Sequence, residues 1–492
     1  MLASSTKHGL FRLGQPDQYV PPQYGWTVMV PALPPAPPKP GETPKPTPPS
    51  PWKPRFFDND FRYLDKPDKA VHNTFDFLKR LEGPFEGIVS DFGGEFRWQA
   101  RGEDNRRLTG EQNNFNLFRE RLYLDTWYAK RFRTYLEVFW ADASEQTVPP
   151  VFFDIDHGDL NNAFGELKLL DREGGGTLSA RFGWKQELLF GNQRLVSPLD
   201  WANVRRTFST VANAVYRSKN WDFDAFWGRP TVIYARQFDQ PDYSRQFFGG
   251  YLTYKGAPLH LIDFYYLGLL ETDPIVDGSL GIKGTSAAHT LGTRWQGERD
   301  NWLYEVEAAY QFGHQADLTR SAGMATGGFG RRFASLSLKP ELWFFYDYAS
   351  GDNPGDGTYS TFNQLFPLGH KYFGYMDIVG RQNVLDPNVN LKLFFGKRAN
   401  LQFWYHFLQL ASARDALYNA AGTPSRFDPS GRAGRTIGNE LDIVLNYAVN
   451  PNSDWQIGFC QFWAGEFVEN TATTPAKAQN ANFFYTQFTV RF

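Results

Sequence analysis

Arginines and carboxylates recur in this 492-residue chain at alternate positions of short segments. Arg97 stands between Glu95 and Gln99, Arg119 and Arg121 are two apart, and Arg133 precedes Glu137 by four. Residues two apart on a strand share a face, so such spacing lines one wall with charge. On the first five segments the inward bases are Arg97, Arg119, Arg121, Arg133, Lys168, Arg181 and Lys185, against Glu95, Asp125, Glu137, Glu166 and Glu187. From the seventh segment onward the acids Asp222, Asp224, Asp263, Glu305, Glu307, Glu341, Asp347, Glu440 and Asp442 outweigh Arg294, Lys339, Lys392 and Arg491. Walls of opposite sign across a narrow passage would filter polar solutes by charge. The alternative is that these charges pair between neighbouring strands and stiffen the wall.

Two loops hold further candidates. Arg194, Arg205 and Arg206 share the loop 188–206 with Trp201. Folded inward, they would form a constriction for anionic or polyhydroxyl groups, with Trp201 as a surface on which a sugar stacks. A loop-stabilising set of ion pairs with Asp200 is the alternative. Asp352 and Asp356 lie in a sequence that faintly resembles a calcium loop. Pro354 at its third position and Asn363 at its twelfth argue against an EF-hand and leave only a looser cation site. There is no Gly-x-Ser-x-Gly elbow, His-Glu-x-x-His or P-loop, and His260, His289, His314, His370 and His406 are scattered singly. Neither catalysis nor a cofactor is expected.

The elements that position these residues are strands. From about residue 88 the hydrophobic period is two. Phe92, Phe96 and Trp98 oppose Glu95, Arg97 and Gln99; Trp302, Tyr304 and Val306 oppose Glu305 and Glu307. A slip of one residue would turn every charge toward lipid, at about 2–4 kcal/mol for each Lys or Arg near the midplane. Sixteen or eighteen strands are expected, with 202–217 and 385–396 the weakest. Short turns, such as 129–130, 218–220 and 339–340, alternate with long connections at 102–116, 143–160, 188–205, 229–245, 272–288, 313–330, 350–389, 412–435 and 465–481. That alternation describes an all-β, transmembrane, antiparallel up-and-down barrel with both termini in the periplasm and long loops outside. The last strand, Asn482–Phe492, is expected to pair with the first near 88–100. Phe483 and Tyr485 blur its alternation.

Composition agrees. Aromatics make up 17% of the chain while the mean hydropathy is −0.49, as expected when one face of each strand is apolar and the other polar. No apolar run approaches the ~18 residues of a membrane helix. A net charge of −2 argues against a nucleic-acid partner. The lone Cys460 suits packing. Propellers and sandwiches also have many short strands, but their cores favour Val, Ile and Leu over aromatics.

Ahead of the barrel, residues 31–54 contain twelve prolines and read as an extended spacer. The expected division is a proline-rich periplasmic segment at 1–55, a periplasmic lead-in at 56–87 with a short helix around 70–81, and the barrel at 88–492. The spacer would reach a cell-wall or protein partner, or serve only as a linker. Residues 1–20 have no apolar leader core, so an export signal is expected to lie outside this numbering.

Several stretches resemble a known family. Gly191-Asn-Gln-Arg-Leu-Val-Ser-Pro-Leu-Asp-Trp-Ala-Asn-Val-Arg-Arg206, Phe362–Asn383 and Asn114–Asp125 are similar to the alginate export domain outer-membrane proteins, in the version found in planctomycete-type bacteria. The likeness runs over roughly 56–492. It implies an eighteen-stranded porin-like barrel in the Gram-negative outer membrane that passes polysaccharide or other hydrophilic solutes. It does not imply alginate, because the exporter that names the family has a strongly basic lumen and this chain departs from it. A plugged barrel that anchors the envelope through its proline-rich segment is the second expectation. A soluble carbohydrate-active enzyme is the third.

Overall fold

Period-two alternation carries through the computed structural model, which describes residues 51–65, 73–172, 175–276, 283–355 and 357–492. Eighteen antiparallel strands form one closed sheet. They are β1 (Ile88–Asp104), β2 (Asn113–Tyr128), β3 (Phe132–Ser144), β4 (Asp156–Arg172), β5 (Gly176–Gln186) and β6 (Phe208–Arg217). Next come β7 (Trp221–Val232), β8 (Arg245–Tyr254), β9 (His260–Val276), β10 (Lys283–Arg299), β11 (Trp302–Gln315) and β12 (Leu318–Arg332). The circuit ends with β13 (Glu341–Ala349), β14 (Val384–Phe395), β15 (Ala399–Leu410), β16 (Thr436–Asn450), β17 (Ser453–Ala464) and β18 (Ala481–Arg491). The last strand pairs with the first, Arg491 opposite Glu95 and Asn482 opposite Asp104. No edge is left unpaired, which is what a sheet needs to cross hydrocarbon.

Side-chain alternation sorts the two faces. On β5, Phe182 and Trp184 are 67% and 73% exposed on the outer face, while Arg181 and Lys185 beside them are buried. Phe483 and Tyr485 turn inward and pack edge-on against Trp201, which accounts for the blurred pattern of β18. Glu120 departs from the rule: it is exposed on the outer face of β2, flanked by Phe96 and Trp140. Val306, exposed on the outer face of β11, tests the assignment. Val306→Arg is expected to cost about 2–4 kcal/mol near mid-membrane. The urea midpoint of the protein in lipid vesicles measures the loss, and Val306→Leu should not move it.

The two ends of the barrel differ. One carries connections at 129–131, 173–175, 218–220, 255–259, 300–301, 333–340, 396–398 and 451–452. The other carries 105–112, 145–155, 187–207, 233–244, 277–282, 316–317, 350–383, 411–435 and 465–480. Strict alternation of short and long fails at 316–317. The long loop expected over 313–330 is a two-residue turn followed by β12. Its sequence, Ser321-Ala-Gly-Met-Ala-Thr-Gly-Gly-Phe-Gly330, has weak strand propensity, which pairing with β11 and β13 overrides. The glycines make room for rings: a Cβ on Gly328 or Gly330 would come within 2.0 Å of Phe345 or 2.4 Å of Trp343. The turn expected at 339–340 widens to 333–340 and takes Lys339 out of the wall.

The lead-in also departs from expectation. Residues 73–82 form a 3-10 turn at Asp76–Leu78 and a short strand, Leu81–Glu82, paired with Val89 and Ser90, in place of a helix over 70–81. Residues 70–72, and the proline-rich stretch as far as residue 50, lie outside the described residues.

Candidate functional site

Apart from Lys339, the residues expected to face water lie toward the barrel interior, and most of them meet protein there. Loops 187–207 and 350–383 fold inward and join through a parallel bridge between Val196 and Phe366. Ser197 N–H donates to Phe366 O at 2.9 Å, Phe366 N–H to Leu195 O at 2.9 Å and Leu368 N–H to Gln193 O at 3.0 Å. Phe366 packs edge-on against Phe208 and Phe247 of the inner wall. Lys371 adds a bond to Asn192 Oδ1 at 2.8 Å. Two segments far apart in sequence thus form one plug.

The plug spans the lumen between the basic and acidic walls. On β1 and β2, Arg97 donates to the main-chain oxygens of Asp200 (2.6 Å) and Ala202 (2.7 Å). Arg119 donates to the same two oxygens at 3.0 and 3.1 Å and pairs with Glu95 at 2.7 Å. Arg205 pairs with Asp200 and Glu187 and donates to Pro54 O at 2.8 Å. Burial alone would raise the Asp200 carboxyl, but Arg205 and Arg119 hold it below its ordinary value. Across the lumen, Arg194 pairs with Glu305 and lies 3.0 Å from Glu307 on β11. Arg206 ties the loops together through Pro367 O at 3.0 Å. Trp201 is covered: His370 stacks on it at 4.1 Å, and the Arg101 guanidinium lies 4.4 Å from its ring centre.

Most remaining wall charges pair locally. Arg121 reaches Glu137 at 2.6 Å, Arg133 reaches Asp125 at 2.6 Å, Arg181 reaches Glu166 at 2.7 Å and Lys185 reaches Asp239 at 2.7 Å. Asp222 meets Lys255 at 2.7 Å, Asp224 meets Arg217 at 2.8 Å and Asp263 meets Arg294 at 2.6 Å. Glu341 meets Arg332 at 3.1 Å and Asp347 meets Arg381 at 2.8 Å. Glu440 and Asp442 are different. Glu440 accepts the Met376 N–H at 3.0 Å, and the basic side chain beside Asp442 is the His406 imidazole at 3.9 Å. Asp352 is buried and accepts the Ser360 N–H at 3.0 Å, while Asp356 lies outside the described residues.

The short-turn end of the lumen holds residues that the sequence placed outside the barrel. Trp52, Phe56, Phe57 and Phe61 are buried against the inward rings of Tyr123, Tyr135 and Phe164. Arg121 lies 3.9 Å above the Phe56 ring, and Arg133 donates to Phe57 O at 2.6 Å. Aromatic spacing in Trp52-Lys-Pro-Arg-Phe-Phe57 and Phe61 is the signal that could have found this stopper. Lys79 fastens it, donating to the Tyr123 hydroxyl at 3.1 Å and to Phe492 O at 3.2 Å. Burial pushes Lys79 down to about 8, against the pull of Asp91 and Asp76. The unfolded segment therefore holds its proton up to a higher pH than the docked one, and docking strengthens as pH rises through 8. Proteolysis between residues 51 and 82 should be slower at pH 9.5 than at pH 7, and Lys79→Met should abolish that difference.

The barrel fold has counterparts among known proteins. The sequence profile of the family described as alginate export matches residues 89–482. The chain belongs to the alginate export family. As a member of that family it is an outer-membrane β-barrel channel for solutes or polysaccharide. The alginate export barrel resembles Acinetobacter baumannii OccAB2, at 10% identity and a TM-score of 0.55, with 82% of this chain and 98% of that one covered. It also resembles Pseudomonas aeruginosa OpdO (10%, TM-score 0.54, 82% and 97% covered) and the outer-membrane protein OprD of the same organism (10%, 0.51, 84% and 96%). At these identities the likeness is one of fold. No curated protein matches the sequence.

Proposed function

We propose that this alginate export barrel is a gated channel for hydrophilic solutes or glycan that rests in a closed form. Its short-turn end and both termini face the periplasm, and its long loops face outward. Residues 62–87 then serve as a periplasmic lead-in beyond the stopper, and residues 1–50 reach toward a wall or protein partner. One observation carries the reading. The plug is held to Arg97 and Arg119 mainly through main-chain carbonyls, contacts that a passing polar chain can replace one for one. The stopper at 52–61 is continuous with the proline-rich segment, so tension on that segment would withdraw it.

A second reading is favoured by the same filled lumen. A barrel that never opens would be an anchor tethered through its N-terminal segment. Planar-bilayer recording separates the two. A gated channel gives infrequent steps from the full chain and frequent ones once residues 51–65 are removed; silence from both, with the protein folded, leaves the anchor. Weak ion selectivity is expected of the open state, since its charges are mostly paired. Strong anion preference would instead point to a polyuronate.

A further inference from the structure

The inner wall of β13–β17 leaves neutral amide atoms unbonded beside two indoles. Trp343, Asn390 and Trp404 stand side by side in one lateral row across β13, β14 and β15. Gln402 lies one inward position from Trp404, paired with Lys392. Asn390, Gln402 and Gln456 are 0%, 1% and 0% exposed. Neither amide atom of Asn390 has a hydrogen-bond partner, nor do Gln402 Nε2 and Gln456 Oε1. Leaving such an atom unbonded is costly, and buried polar atoms nearly always find a partner. Four on one wall point to a partner that is not part of the fold.

We propose that the β13–β17 wall is a binding lane for an uncharged, hydroxyl-rich chain, that is, a neutral glycan; this rests on the channel reading above. An amide offers a donor and an acceptor in one plane, and a sugar hydroxyl serves as both in return. The indoles of Trp343 and Trp404 flank Asn390 with apolar surface that suits the C–H face of a sugar ring. Charge weighs against the acidic alternative. Glu440 and Asp442 lie on β16, Asp442 directly opposite Trp404, and would repel a polyuronate along the same track. Most of the arginines able to hold carboxylates stand on the other wall, bonded to acids and main-chain carbonyls, and Arg381 on this side is already paired with Asp347. Met376 of loop 350–383 caps Glu440, so the loop that closes the channel also lies on this lane.

The test is a titration of the full-length protein in detergent with maltohexaose and with a mannuronate hexamer, followed by tryptophan fluorescence and calorimetry. Maltohexaose is expected to bind at least tenfold more tightly than the uronate. Asn390→Leu and Gln402→Leu should each weaken maltohexaose at least fivefold while keeping the heat-modifiable gel shift of a folded barrel. If Asn390→Leu loses that shift, the nearly isosteric Asn390→Asp answers the same question and should also weaken maltohexaose. Absence of maltohexaose binding, equal or tighter uronate binding, or variants that bind like wild type overturns the lane. Bilayer recording is done in parallel. Binding without conductance steps sinks the channel reading and leaves the lane, and conductance without binding does the reverse.

Discussion

Replacing Phe56 and Phe57 together by serine should raise the open probability of the barrel until it conducts most of the time. Both rings are buried in the mouth of the lumen, Phe57 edge-on to Tyr135 and Phe164, and Phe56 beside Tyr123. Truncating a buried Phe costs about 3–5 kcal/mol in a core. Here only the docking of a short segment is at stake, so half of that for the pair is a cautious figure. Even about 3 kcal/mol shifts a closed–open balance roughly a hundredfold. Single-channel recording reads the change as open probability. Phe152→Ser, at a ring 65% exposed in loop 145–155, is the control and should leave the record unchanged. A double variant as quiet as wild type would mean that the stopper does not close the path.

Arg205→Ala should have the second large effect, on stability as well as gating. Its guanidinium joins three elements: Glu187 at the end of β5, Asp200 within the plug and the Pro54 carbonyl of the stopper. Removing one partner of a buried ion pair costs about 3–5 kcal/mol, because the charges left behind cannot be hydrated. The apparent Tm of the folded barrel should fall, and the open probability should rise along with it. Arg205→Lys separates charge from geometry. It keeps the positive charge but cannot hold two carboxylates and a carbonyl in one plane, so it should recover part of the stability and little of the closure. Arg299→Ala, at an exposed residue paired only with its neighbour Asp300, should do nothing measurable.

Strand parity was legible because it follows from one rule: a charge on the outer face is costly, so inward and outward sets separate by alternate positions. Arg119 and Glu305 could be placed on the inner face from their spacing alone. β12 was not legible, because its glycines are set by the rings of Trp343 and Phe345 on the neighbouring strand, which no local pattern reveals. The site divides in the same way. That Arg194, Arg205 and Arg206 share a loop is visible in the sequence; that they hold it across the lumen depends on partners more than a hundred residues away, Glu305 and Pro367 among them. Main-chain acceptors such as Ala202 O carry no side-chain signature, so the chief ligands of Arg97 could not be read. The unpaired amides of Asn390 and Gln402 were hidden for the opposite reason: Asn and Gln look unremarkable until their surroundings are known.

The bridge between Val196 and Phe366 bears on how current through this barrel should look. Loops 187–207 and 350–383 share backbone hydrogen bonds in both directions, so neither can swing out while the other stays. Independent flaps would produce a staircase of partial levels. Two loops laced together should produce a single jump between shut and full amplitude, and cutting the lace with Phe366→Pro, which removes the donor to Leu195 O, should split that jump into intermediate levels.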